Sequence, residues 1–74
     1  MYYVYVMQNV SSGKLYIGYC SNLKRRAKEH KMKKNVELVY YEAYLEEIKA
    51  RDRERKLKMY GSAWRGVKKR LGFP

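Results

Sequence analysis

Seventy-four residues with a single cysteine, Cys20, predict one domain over 1–74 and leave no disulfide framework within the chain, which points to a reducing compartment. Eighteen Lys and Arg against seven Asp and Glu give a formal charge of +11, a field that calls for a polyanionic partner, nucleic acid before anionic membrane. No segment approaches the roughly 20 apolar residues needed to cross a bilayer. The amino-terminal MYYVYVMQNV has neither a basic n-region nor a long apolar run, so it reads as a strand rather than a signal peptide. A soluble, cytoplasmic chain is the expectation.

Residues 2–8 (YYVYVMQ) are aromatic and β-branched and favour a strand. Asn9, Ser11, Ser12 and Gly13 supply turn chemistry, and KLYIGY at 14–19 forms the second strand of a hairpin. Alternation puts Tyr3, Tyr5 and Met7 on one face, and Tyr16, Gly18 and Cys20 on one face of the partner. Pairing Gln8 with Gly13 across a four-residue loop would set Tyr5 directly opposite Tyr16. A slip of two keeps them on one face, and a slip of one separates them. Cys20 reads as a small packing residue.

Ser21 is the first choice as N-cap, with Asn22 second, for a helix over about 22–32. Leu23 and Ala27 mark its apolar stripe. At about 100° per residue, Lys24, Arg25 and Lys28 point to solvent. Arg26 and His30, the chain's one histidine, fall within about 60° of the stripe, at the border of the buried face. A short link, KKN at 33–35, leads to a third strand at 36–44, with Val36, Leu38 and Tyr40 alternating against Glu37, Val39 and Tyr41.

A second helix is predicted over 46–59. Ala50, Glu54 and Leu57 recur at i, i+4 and i+7, so Glu54 lies on the inward stripe between two apolar positions. Glu46 and Glu47 are acids of its first turn. Gly61 and Ser62 break the chain, and Ser62 can cap a last helix at 63–72 with Ala63, Trp64, Val67 and Leu71 as its apolar face. The order ββαβαα makes a small α+β layer structure, with flanking helices on a three-stranded antiparallel sheet.

The chemistry-bearing candidates are Tyr5, Tyr16, Arg26, His30 and Glu54. No Cys/His spacing suits structural zinc, and there is no phosphate-binding glycine loop. One inward carboxylate can hold one Mg²⁺ that keeps most of its waters and takes a phosphate as a further ligand. Arg26 offers a fork of donors for phosphate oxygens. A tyrosine hydroxyl is a poor base at neutral pH unless nearby cations lower its pKa. Plainer readings stand beside these. Hairpin tyrosines are usually core. A border Arg or His usually snorkels or binds phosphate passively. An inward Glu is usually an ion-pair partner, here of Arg26 or Arg53, and RDRERK at 51–56 has the pattern of a salt-bridged, solvated face. From the residues alone, a basic nucleic-acid-binding domain is a better reading than a nuclease.

The motifs together resemble the GIY-YIG nuclease superfamily, in its small stand-alone bacterial form, which is similar to the amino-terminal nuclease module of the excinuclease C subunit. The first motif stands as Tyr3-Val4-Tyr5, with the family's glycine replaced, and the second as Tyr16-Ile17-Gly18. Asn22-Leu23, Arg26 and His30 follow at family spacing. ARDRERKLK resembles the helix that carries the family's metal-binding glutamate, which falls on Glu54, and GSAWRGVKKRL resembles the tail of the stand-alone group. The segment between His30 and the third strand is shorter than in many relatives, a length that favours exchange of elements between chains. Tyr19 stands where some relatives have a lysine.

The resemblance implies a metal-dependent DNA endonuclease, nicking non-specifically or by DNA structure. Glu54 would be the one protein ligand of Mg²⁺ or Mn²⁺, and Arg26 would stabilise the scissile phosphate. Tyr5 and Tyr16 would flank the attacking water, one of them as general base, with His30 assisting. Gly18 would admit close approach of backbone or substrate. Lys24, Arg25 and Lys28 would attract the DNA backbone. Repair, recombination and mobile-element defence are the natural settings, and a homodimer would let a one-site domain cut both strands.

Overall fold

The computed structural model describes residues 1–31 and 35–72, and for His30 and Lys31 the backbone alone. The elements follow the expected order: β1 (Tyr2–Asn9), β2 (Leu15–Cys20), α1 (Leu23–Lys31), β3 (Val36–Tyr44), α2 (Glu47–Met59) and α3 (Gly61–Arg70). The strands form one antiparallel sheet in the order β2-β1-β3. The middle strand is covered on both faces, which is why Val4, Tyr5, Val6 and Met7 are buried in succession rather than alternately. Tyr5, Met7 and Cys20 pack with Leu23 and Ala27 of α1. Val4 and Val6 pack on the opposite face with Ala50 and Leu57 of α2 and with Val67 and Trp64 of α3.

The hairpin register is two residues from the expected one. Gln8 pairs with Leu15, Met7 with Tyr16 and Tyr5 with Gly18. The turn chemistry explains the shift. Asn9 Oδ1 accepts from the backbone N–H of Ser11 and of Ser12, at 2.9 and 3.0 Å, while the Asn9 N–H donates to the Lys14 carbonyl at 2.8 Å. Gly13 takes up the left-handed conformation, φ +76°, inside the loop. Asn9 is therefore the last paired residue of β1 and organises the turn with its own side chain. The slip is even, so Tyr5 and Tyr16 still share a face, displaced along it.

The alternation expected for β3 fails for a definite reason. Pairing with β1 jumps from Val6–Tyr40 to Met7–Leu38, which leaves Val39 as an extra residue, a β-bulge. Val36 and Leu38 consequently join the α1 face, whereas Tyr40 and Tyr44 join the α2 face, with Glu42 between them.

Helix ends also differ from expectation. Asn22, not Ser21, caps α1: its Oδ1 accepts from the Arg25 N–H at 3.0 Å, and its carbonyl accepts from Arg26 at 3.1 Å. The break between α2 and α3 falls on Tyr60 (φ −113°, ψ 113°), a single extended residue. Gly61 is already helical, and neither Ser62 nor any other side chain caps α3.

Candidate active site

Tyr5 rises from the central strand, and its ring lies across Gly18 of the outer strand β2. A Cβ at position 18 would overlap the ring atoms and hydroxyl of Tyr5. The glycine thus makes room for a side chain of this chain, where the sequence suggested close approach of backbone or substrate. The Tyr5 side chain is 6% exposed. Burial pushes its hydroxyl pKa up, the Arg26 guanidinium pulls it down, and the negative charges of Glu54 and Glu29 push it up again. Arg26, carried by α1, and Glu54, carried by α2, thus both act electrostatically on the Tyr5 hydroxyl.

Arg26 occupies the border position expected of it, with its side chain 43% exposed. Glu29, which the sequence reading passed over, is a counter-ion on the same helix. Its carboxylate lies 3.2 Å from Arg25 Nε and 3.9 Å from Arg26 Nη1, at i−4 and i−3 spacing that was legible in the sequence. A hollow of about 200 Å³ opens at this junction, lined by Cys20, Ser21, Asn22, Arg25, Arg26 and Glu29. Cys20 is buried, and burial pushes its thiol up against the opposing pull of Arg26, which fits a packing role. Lys24, Arg25 and Lys28 are exposed, as their phase on α1 predicts.

Glu54 is half-buried between the fully buried Ala50 and Leu57. Its ion partner is neither Arg26 nor Arg53. Lys58 Nζ lies 3.8 Å from Glu54 Oε2, one turn further along α2. Arg53 instead faces β3, where Nε and Nη2 donate to the two oxygens of Glu42 at 2.9 and 3.1 Å. Tyr40 and Tyr44 donate to the same carboxylate, Tyr44 at 2.6 Å. Burial alone would raise the Glu42 carboxyl, but the hydrogen bonds from Arg53, Tyr40 and Tyr44 outweigh it and bring the carboxyl down to about 2. Burial and the bond to Glu42 push the Tyr44 hydroxyl up to about 12.

Tyr16 is exposed at the β2 edge, with Lys14 Nζ 5.6 Å from its ring centroid. Tyr19 belongs to the opposite face, stacked on Tyr2 at 6.4 Å with the Arg51 guanidinium 5.3 Å from its ring. The side chain of His30 lies outside the described residues, and its backbone is in α1. The structure thus brings Tyr5, Arg26 and Glu54 into one electrostatic neighbourhood, with Tyr16 further along the same edge.

A model of the GIY-YIG catalytic domain family matches residues 1–70. The chain belongs to the GIY-YIG family. No curated protein and no solved structure gives a significant match. The ββαβαα order and three-stranded antiparallel sheet are those of the GIY-YIG α+β fold, a nuclease-type fold. No helix among the described residues is long and apolar enough to cross a membrane.

Among the described residues of this GIY-YIG domain, no three His, Cys, Asp or Glu side chains gather as a metal cage. Glu54 fits the other common arrangement for a hard cation, one carboxylate with waters and substrate phosphate as the remaining ligands. Its side chain is 25% exposed, and Lys58, at 3.8 Å and half in solvent, is a partner that a cation can replace.

Proposed function

We propose that this GIY-YIG domain is a divalent-metal-dependent endonuclease that hydrolyses DNA phosphodiester bonds, without strong sequence preference. The observation that carries the reading is the seat of the buried Tyr5 ring over Gly18 of the outer strand β2, with Arg26 and Glu54 both close enough to act on its hydroxyl. Phosphodiester hydrolysis needs a positioned water, a proton acceptor, and cationic stabilisation of the phosphoryl oxygens. Arg26 supplies a fixed fork of donors for those oxygens once DNA displaces its long contact with Glu29. Tyr5 and Tyr16 flank the approach of water, and His30 assists from the far end of α1. Lys24, Arg25 and Lys28 draw the backbone in. A Mg²⁺ or Mn²⁺ ion held by Glu54 would supply Lewis-acid stabilisation of the phosphate and a water of lowered pKa. Neutralising Glu54 also removes one of the charges that hold the proton on Tyr5.

Burial moves the Tyr5 hydroxyl further from the range of a neutral-pH base, which favours a second reading, a nucleic-acid-binding domain that does not cut. Cleavage of supercoiled and branched DNA with Mg²⁺ or Mn²⁺ separates the two. The nuclease reading expects nicking by the wild type that is lost in Glu54→Ala and in Arg26→Ala. It fails if the wild type never cuts, or if Glu54→Ala cuts equally well.

A further inference from the structure

Positive charge is unevenly placed along the chain. Glu54 is the last acid, and seven of the 18 Lys and Arg follow it, so residues 55–74 carry +7 of the formal +11. Arg51, Arg53, Arg55, Lys56 and Lys58 of α2 each have a carboxylate within 3.8 Å. α3 contains no acid, and among the described residues Arg65, Lys68 and Lys69 pair with none. Counting about 100° per residue from the buried Val67, Arg65 and Lys69 both point about 160° away from it, one turn apart. Gly66 lies beside them. A Cβ there would meet nothing, so packing within the chain does not explain a glycine in mid-helix, where it weakens the helix. Lys68, Lys69 and Arg70 sit in the last turn and suit the helix dipole. Arg65, nearer the positive end, does not, and it repels Lys69 at i+4.

A row of unpaired cations that is unfavourable for the chain alone becomes favourable when a polyanion lies on it. Arg65 and Lys69 are about 6 Å apart along the helix axis, and their long side chains can reach phosphates of one backbone. Glycine between them keeps the surface low. An amphipathic helix that lies on a bilayer would instead bury large apolar side chains there. α3 packs with the Val4–Val6 side of the sheet and α1 with the Tyr5–Met7 side. The cations of α3 therefore belong to a different face from Arg26 and the solvated cations of α1. A duplex with a persistence length of about 150 bp does not bend round a domain 32 Å in its longest dimension. We propose that the outer face of α3 is a second surface for the phosphate backbone of duplex DNA, apart from the candidate active site, so that one chain holds two duplex segments at once. That the segment at α1 is cut rests on the nuclease reading; the hold of α3 on the other segment does not.

The test titrates the protein with a duplex of about 12 bp, a little over one helical turn, without divalent metal and at low salt, and reads the stoichiometry by calorimetry. The wild type takes two duplexes per chain. Arg65→Ala/Lys69→Ala takes one, and the salt slope summed over both binding events falls by about two phosphate contacts. Arg55→Ala/Lys56→Ala removes the same net charge, from cations already paired with Asp52, and keeps two duplexes. Both variants fold, since the replaced side chains are exposed and Ala favours a helix. One duplex per wild-type chain overturns the proposal. So does an equal loss in Arg55→Ala/Lys56→Ala, which would make total charge the cause. Binding to phosphatidylserine vesicles that needs Arg65 and Lys69, with duplex binding that does not, overturns it in favour of a membrane. A wild type that takes two duplexes and never cuts retains this surface and loses the nuclease. One that cuts and takes a single duplex does the reverse.

Discussion

The two edges of the sheet hold their acids in opposite ways. At the β3 edge, Glu42 receives four hydrogen bonds, two from Arg53 and one each from Tyr40 and Tyr44, and is 16% exposed. At the β2 edge, Glu54 has a lysine at 3.8 Å with half of that lysine in solvent. Both acids meet the same helix, and Arg53 and Glu54 are adjacent residues on it. About 100° of helical turn separates a structural clamp from a carboxylate free to exchange partners. A fully bonded, part-buried carboxylate such as Glu42 is stable but unavailable, because any new ligand must displace several strong bonds at once. A loosely paired one contributes little to stability and is open to a cation.

The contrast can be tested from the largest expected effect downward. Glu54→Gln keeps the shape and removes the charge. It is expected to lower metal-dependent nicking by on the order of 10²–10³-fold, the loss typical of one transition-state-stabilising group, while thermal unfolding moves little. A large fall in melting temperature would place Glu54 with the clamp and break the contrast.

The reverse pattern is expected for Arg53→Met, which strands the Glu42 carboxylate. The cost is about 2–4 kcal/mol, somewhat below that of a fully buried pair. For a domain this small that lowers the melting temperature by roughly 10–25 °C. Glu42 also predicts a pH signature. Its folded pKa, about 2, is depressed below the ordinary 4.5, so its stabilisation is complete above pH 4.5 and is lost as the pH falls toward 2. The contribution is on the order of 3 kcal/mol. Denaturant unfolding of wild type from pH 6 to pH 2 should show this loss, and Glu42→Gln should show a flatter profile over the same range.

Gly18→Ala tests how the β2 edge is built. The added methyl meets the Tyr5 ring, and overpacking of this kind costs about 1–3 kcal/mol. Displacing Tyr5 should also reduce nicking more than that stability loss accounts for. Unchanged activity would show that the Tyr5 hydroxyl does not need its seat over β2. The smallest effects belong to the solvated face of α1. Lys24→Ala or Lys28→Ala should leave stability within about 0.5 kcal/mol. Each should reduce the salt dependence of DNA binding by about one phosphate contact.

Much of this was legible in the sequence. Composition, turn residues and helical stripes gave every element within a few residues: aromatic and β-branched runs marked the strands, and apolar residues at i, i+4 and i+7 marked the helices. The phase of α2 put Glu54 between Ala50 and Leu57, and the phase of α1 put Arg26 at the border. Parity put Tyr5 and Tyr16 on one face even in the wrong register, since an even slip preserves the face. The residues of the GIY-YIG motifs brought the family into view, although the roles of single side chains rest on proposal.

What the sequence determined is thus local: period, phase, parity and an excess of positive charge, all set by the spacing of residues along one element. Only the tertiary structure decided the rest. The Asn9 side chain fixed the turn and with it the opposition of Tyr5 to Gly18. The bulge at Val39 turned Tyr40, Glu42 and Tyr44 toward α2, where Glu42 captured the arginine that the sequence offered to Glu54. Ion pairing follows distances across elements, and a one-residue irregularity in a strand reverses every side chain beyond it. No spacing along the chain carries that information.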